Sequence, residues 1–222
     1  MRRQLTIVAI LVFVLLLADQ SLKLYIKSNF LPWEYYSIIG DWFKIRYTEN
    51  QGMAFGAAFG SGIGHKLFLS IFRLIAIIFI GYYIYKEAKK GTRLEFLIAV
   101  GLIFTGATGN LLDSMFHDLF YDFNPCHQYS WMEGSGNFEY CKSIPVEMEV
   151  RHHGFMLGSV VDMFQFDFNW PKWLPILGGK EVFPAIWNIA DACISIGVGM
   201  IIIRQKHYFP KKDKSGEELA EN

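Results

Sequence analysis

An excess of charge of either sign is missing from this 222-residue chain, in which 21 Lys and Arg offset 21 Asp and Glu. No basic groove or nucleic-acid motif occurs, so no nucleic-acid partner is expected. Cysteine is scarce, with three in all, and no Cys-x-x-Cys pair is present to support a redox reading. A Gly-x-Ser-x-Gly elbow and a His-Glu-x-x-His helix are also absent, and with them the signatures of serine hydrolases and zincins. His152 and His153 lie near Asp162 in the chain, but adjacent histidines rarely point the same way, and no metal site is expected.

Apolar residues are plentiful, at 52% of the chain, and they gather into four runs near bilayer length rather than into amphipathic stripes. The first, residues 5–18, is too short to span alone and is expected to continue through Asp19 and Lys23 to Ile26. It differs from a secretory leader in having no small-residue cleavage site and in being followed by further spans. The others are residues 67–85, 94–112 and 183–203. Basic residues cluster before the first (Arg2, Arg3), between the second and third (Lys86, Lys89, Lys90, Arg93), and after the fourth (Arg204, Lys206, Lys211, Lys212, Lys214). An even number of spans puts these clusters on one side, the cytoplasm by the positive-inside rule.

The outer segments are then 28–66 and 113–182, rich in Trp and Tyr as expected at headgroup level. Residues 41–60 alternate aromatic and charged side chains before a Gly-rich stretch, a pattern for short strands or an extended platform. Residues 113–158 show little periodicity and read as an irregular outer loop. From Val161 to Phe168 apolar and polar residues alternate, with Asp162 opening the pattern. Cys126 and Cys141 share the second outer segment and are free to form a disulfide if that compartment is oxidising, a pairing the sequence leaves open; Cys193 lies within the fourth run. Residues 206–222 form a charged tail expected to be disordered.

Ionisable groups inside spans cost about 2.5 to 3.5 kcal/mol each to insert and are functional candidates by default. Asn188, Asp191 and Ser195 fall at i, i+3 and i+7 on the fourth run. With a helix entering at Pro184, Asp191 would lie roughly 10 Å below its outer end. Gly106, Gly109, Asn110 and Asp113 share one face of the third. Both stripes fit helix packing through small residues and interhelical hydrogen bonds as well as they fit chemistry. Asp19 and Lys23 are spaced as an i, i+4 ion pair. Asp162 and Asp191 remain as two carboxylates near the outer face. Held close, they cannot both ionise, and such a pair can activate water and protonate a carbonyl.

In order along the chain, "ADQSLK", "ENQGMAFG", "GATGNLLD", "GSVVDMFQF" and "FPAIWNIADACI" resemble bacterial lipoprotein signal peptidase, the signal peptidase II family, over nearly all of residues 1–205. The resemblance implies a mostly α, integral membrane peptidase of the inner membrane. It would be a single domain of four transmembrane helices with a small extracytoplasmic β-cradle, both termini in the cytoplasm and the active site toward the outer face. It implies an aspartyl endopeptidase that removes the signal peptide from prolipoproteins just before a diacylglyceryl-modified cysteine. Neither metal nor organic cofactor is required. Membrane lipids and globomycin-type inhibitors are the other partners implied.

By the same resemblance Asp162 and Asp191 are the catalytic pair. Asp19 and Lys23 match the first-helix pair, Asn50 and Gly52 an Asn-x-Gly, and Gly109, Asn110 and Asp113 the Gly-Asn-x-x-Asp stretch, while Asn188 sits beside the second aspartate. Two departures stand out. The family usually has Arg after the Gly-Asn-x-x-Asp aspartate, where this chain has Ser114, and residues at about 115–157 are an insertion. Two rival readings of the polar spans are a proton-coupled transporter and a noncatalytic scaffold. The first expects Asp191 near the midplane and pH-driven flux; the second expects no precursor cleavage.

Overall fold

The computed structural model describes residues 1–31, 34–51, 62–121, 126, 133–142 and 145–209. Gly52, most of the Gly-rich stretch and the tail beyond residue 209 lie outside the described residues.

Three helices are long and apolar enough to cross a membrane: α1 (Arg2–Asn29), α2 (Ile63–Lys90) and α3 (Leu94–Phe120). Gly91, at φ 77°, ends α2 in the left-handed conformation, and its N–H reaches back to the last-turn carbonyls. The Gly there permits the tight reversal into α3. α1 and α2 turn large apolar side chains outward, among them Phe13, Leu17, Phe68, Phe72 and Phe79. That arrangement is stable only against an apolar surrounding such as lipid. α3 is the central helix, packed against both of them and against a shorter apolar helix, α4 (Ile189–Ile203). A four-residue helix, α5 (Gln205–Tyr208), follows.

The α3–α4 seam is made possible by missing side chains. A Cβ on Gly106 would fall 2.1 Å from the Ala190 carbonyl oxygen, and one on Gly197 would fall 2.5 Å from that of Ala99. Only glycine allows the two backbones so close.

Four strands form an antiparallel sheet in the order β1 (Tyr35–Ile39), β2 (Phe43–Asn50), β5 (Val160–Phe166) and β6 (Ile186–Trp187). The alternation expected from Val161 onward is β5. Val161 and Met163 point to one face, where they join Ile26 and Tyr47 in a buried cluster. Asp162 therefore points to the other. Thr48 of β2 lies opposite Asp162, and Trp187 of β6 opposite Phe164. This pairing delivers the chain to Asn188, beside Asp162 and at the start of α4.

Three expectations change. Helix α4 begins at Ile189 rather than near Pro184, because residues 186–187 pair with β5 and Asn188 caps the helix. Asp191 is therefore in the first helical turn, not roughly 10 Å below the end. Ser195 is exposed and does not extend the polar stripe of Asn188 and Asp191. The outer loop is also more regular than its composition implied. α3 runs on to Phe120, and β3 (Gly134–Cys141) pairs antiparallel with β4 (Val146–Arg151) within the segment expected to be irregular. Cys126 and Cys141 are joined by a disulfide, and Cys193 is free and buried in α4.

Candidate active site

The site is built outward from a lysine. Lys23, 3% exposed, has three N–H donors, and three acceptors surround it: Asp19 at 2.9 Å, Asp113 at 2.8 Å and the Asn110 side-chain oxygen at 3.1 Å. The buried charge is thus fully satisfied. Gln20 completes the frame, its amide donating to Asp19, Asp113 and the Gly109 carbonyl. Asp19 and Asp113 use their remaining acceptor capacity to pin two other elements. Asp19 accepts from the Ala190 N–H of α4 at 3.0 Å, and Asp113 from the Val161 N–H of β5 at 3.3 Å. Gly109 is required where α1 meets α3, since a Cβ there would sit 2.8 Å from Asp19 Oδ2.

This frame fixes the orientation of two asparagines. Asn110 Oδ1 accepts from Lys23 and from Asn188 Nδ2, so its own Nδ2 faces Asp191 Oδ1, at 2.8 Å. Asn188 Oδ1 accepts the Asp191 N–H at 2.9 Å, so its Nδ2 faces Asp162 Oδ1, at 2.6 Å. Asp191 Oδ2 in turn accepts the Asn188 N–H, which closes a reciprocal capping box at the start of α4. Asn50, at the end of β2, also hydrogen-bonds Asp162.

Asp162 and Asp191 thus share one bridging residue, Asn188, itself fully buried. Their surroundings differ. Asp162 is 2% exposed, whereas Asp191 is only half-buried. Burial, and then the Asp191 carboxylate, push the Asp162 pKa well above the usual carboxylate range, against the pull of Lys23, Asn50 and Asn188. Asp191 lies in the first turn of α4, where the positive end of the helix dipole favours a negative charge. Two carboxyls differentiated in this way are suited to general acid and general base work on one substrate.

Nine of the ten residues singled out in the sequence therefore meet in one constellation, from α1, β2, α3, β5 and α4; the tenth, Gly52, lies outside the described residues. Both readings of the third helix hold together, for Gly106 and Gly109 make the packing seam while Asn110 and Asp113 supply the polar contacts.

Sequence reasoning missed the contribution of α2. Lys66, Ser70 and Arg73 line one face of it, at i, i+4 and i+7. Lys66 donates to the Gln51 carbonyl at 3.1 Å and Ser70 to that of Met156 at 2.8 Å, while Arg73 donates to Ser114 Oγ at 3.4 Å. The spacing was the available signal. Also unanticipated is a second ionic cluster at the outer end of α3. Arg151 of β4 makes a two-pronged pair with Asp118, at 2.8 and 3.0 Å, with both side chains 2% exposed. His117 lies between Asp118 and Glu49, and Glu49 pairs with Lys27.

The family model described as Signal peptidase (SPase) II matches residues 11–206. The chain is 34% identical over 203 residues to a lipoprotein signal peptidase of Porphyromonas gingivalis, covering 89% of this chain and 81% of that one. It is 32% identical over 197 residues to one of Amoebophilus asiaticus, covering 85% and 72%. Among solved structures it is similar to a bacterial membrane enzyme solved by the in meso method at 2.3 Å, with TM-score 0.57 and 21% identity over 94% of this chain and 95% of that one. A second such structure, at 1.9 Å, aligns with TM-score 0.56 and 22% identity over 90% and 92%. These two alignments speak to the fold. The family match over most of the chain, with the two relatives that agree with it, places this protein in the signal peptidase II family.

Proposed function

We propose that the chain removes the signal peptide from prolipoproteins, cleaving before a diacylglyceryl-modified cysteine, with Asp162 and Asp191 as its catalytic pair. Membership in a protease family replaces the transporter and scaffold readings of the same polar spans. The observation that carries the catalytic assignment is the bridge through Asn188. In it a buried carboxyl, pushed by its surroundings toward the neutral form, and a half-buried one in the first turn of α4 are tied to the same residue.

Asp191 takes a proton from water, and the oxygen attacks the scissile carbonyl carbon while Asp162 gives its proton to the carbonyl oxygen. The tetrahedral intermediate collapses as the C–N bond breaks. Asp191 passes its proton to the departing amine, and Asp162 recovers one from the intermediate's hydroxyl. Each aspartate ends as it began. Asn50, Asn110 and Asn188 position the pair, and the Asp19–Lys23–Asp113 frame holds the asparagines.

The enzyme resides in the bacterial inner membrane, with the clusters of Lys and Arg, and so both termini, in the cytoplasm. At 15 residues α4 is about 22 Å long. It is the fourth span, starting beneath the outer surface, and the β1–β2–β5–β6 sheet forms a cradle above it. The pair then sits at the outer edge of the hydrocarbon, where a lipid-anchored substrate presents its peptide while its acyl chains stay in the bilayer. Globomycin-type inhibitors bind at the same site. Cleavage of a diacylglyceryl prolipoprotein by the purified protein tests the reading; loss of cleavage on Asp162→Asn or Asp191→Asn is expected.

A further inference from the structure

We infer that Lys66, on α2, is a positioning residue for the catalytic pair, holding Asn50 on Asp162 through Gln51; the inference rests on the proposed role of that pair. Thr48 lies opposite Asp162 and Asn50 opposite Val160. Asn50, two residues beyond Thr48, therefore shares the sheet face of Asp162 and reaches it diagonally. Asn50 is also the last residue of β2. Its hold on Asp162 depends on what fixes the chain at the end of that strand.

Both neighbours of Asn50 are fixed. Before it, Glu49 accepts from the Tyr47 hydroxyl at 2.6 Å and pairs with Lys27. After it, Gln51 is held at two points. Its side-chain amide donates to Ser159 Oγ at 2.7 Å, and its carbonyl accepts from Lys66 Nζ at 3.1 Å. Ser159 is fully buried and directly precedes Val160, the cross-strand partner of Asn50. Gln51 thus ties α2 to the ends of β2 and β5 that bring Asn50 and Asp162 together.

Little else accounts for the lysine. It is 4% exposed and lies in the first turn of α2, where the positive end of the helix dipole disfavours a cation. Among the described residues no carboxylate lies within ion-pair distance of it, and its one hydrogen bond is to the Gln51 carbonyl. An apolar side chain of similar length would fill the same space without the cost of burying an ammonium. What such a side chain lacks is the donor that fixes Gln51.

A lysine that served only to pack α2 would change kcat by the same factor whatever residue stood at position 50. One that acts through Asn50 loses its effect once that side chain is gone. The test measures kcat and KM on a diacylglyceryl prolipoprotein in detergent, at equal folded concentration. It compares wild type, Lys66→Met, Lys66→Arg, Asn50→Ala, Lys66→Met/Asn50→Ala and Asp162→Asn.

Lys66→Met is expected to lower kcat about tenfold, with KM changed less than about twofold. Lys66→Arg, which keeps a donor, should recover most of that loss. Asn50→Ala should lower kcat about thirtyfold, and adding Lys66→Met to it should cost less than about twofold more. If Lys66→Met does not fold, the shorter Lys66→Gln replaces it in the same cycle. Equal losses in the two backgrounds, or a kcat unchanged by loss of the lysine, overturn the inference. Cleavage near the wild-type rate by Asn50→Ala or by Asp162→Asn overturns the underlying assignment instead.

Discussion

Asn188 donates its side-chain amide to Asp162 at 2.6 Å while its own carbonyl oxygen accepts the Asp191 N–H at 2.9 Å. One residue thus caps a helix and sets the separation of two carboxyls. Replacing it by Ala removes a cap worth about 1 kcal/mol and frees both aspartates from their common tether. Asn188→Ala is expected to lose about 100-fold in kcat with a modest fall in thermal stability, measured by precursor cleavage beside unfolding in detergent. A loss of stability with kcat intact would reduce Asn188 to a cap.

The protonation of Asp162 has a sign that kinetics can read. Its pKa is pushed up to about 8 by burial and by Asp191, so the group holds its proton below that value and loses it above. Because Asp162 is assigned as the proton donor, kcat should be sustained at neutral pH and fall as pH rises through about 8. A profile that keeps rising through that window would instead make Asp162 the base.

Glycine at positions 106 and 109 is a packing requirement with a functional consequence. A methyl on Gly106 collides with the backbone of Ala190, and one on Gly109 lies 2.8 Å from Asp19 Oδ2. Ala at either position must push α3 away from α4 or α1, at a cost of about 1 to 3 kcal/mol. Cleavage should fall with stability, since Ala190 adjoins Asp191. Unfolding midpoints of Gly106→Ala and Gly109→Ala check this.

The β3–β4 hairpin is tied to α3 by the ion pair of Arg151 with Asp118. Arg151→Met strands a buried carboxylate and is expected to cost about 3 kcal/mol. Limited proteolysis should then cut the β3–β4 region first. The double variant Arg151→Met/Asp118→Asn should recover part of the loss, which a double-mutant cycle quantifies.

How much of this was legible in the sequence depended on periodicity. The face of α3 that carries Gly106, Gly109, Asn110 and Asp113 was visible because helical spacing groups those positions. The strand at Asp162 was visible because its neighbours alternate. That Asp162 and Asp191 share Asn188 was not: the two lie on different elements, and no local pattern reports a bridge set up by β5–β6 pairing. Their pairing entered through the family resemblance.

The true start of α4 was hidden because Phe183, Ala185, Ile186 and Trp187 run on into the apolar helix, and the boundary is marked by the Asn188–Asp191 cap. Lys66, Ser70 and Arg73 were passed over although their spacing matches the stripe on α3, since each is a lone polar residue in an apolar run. In β4, Val146, Met148 and Val150 alternate with charged residues, a strand signal that its irregular flanks obscured.

The central claim is that two aspartates on different elements act as one catalytic unit. It is tested most directly by measuring the rate of signal-peptide release from a diacylglyceryl prolipoprotein with wild type, Asp162→Asn and Asp191→Asn at equal folded concentration. The account predicts release by wild type and none above background by either variant, with both still inserted in the membrane. Release by either variant at a rate near wild type would contradict it.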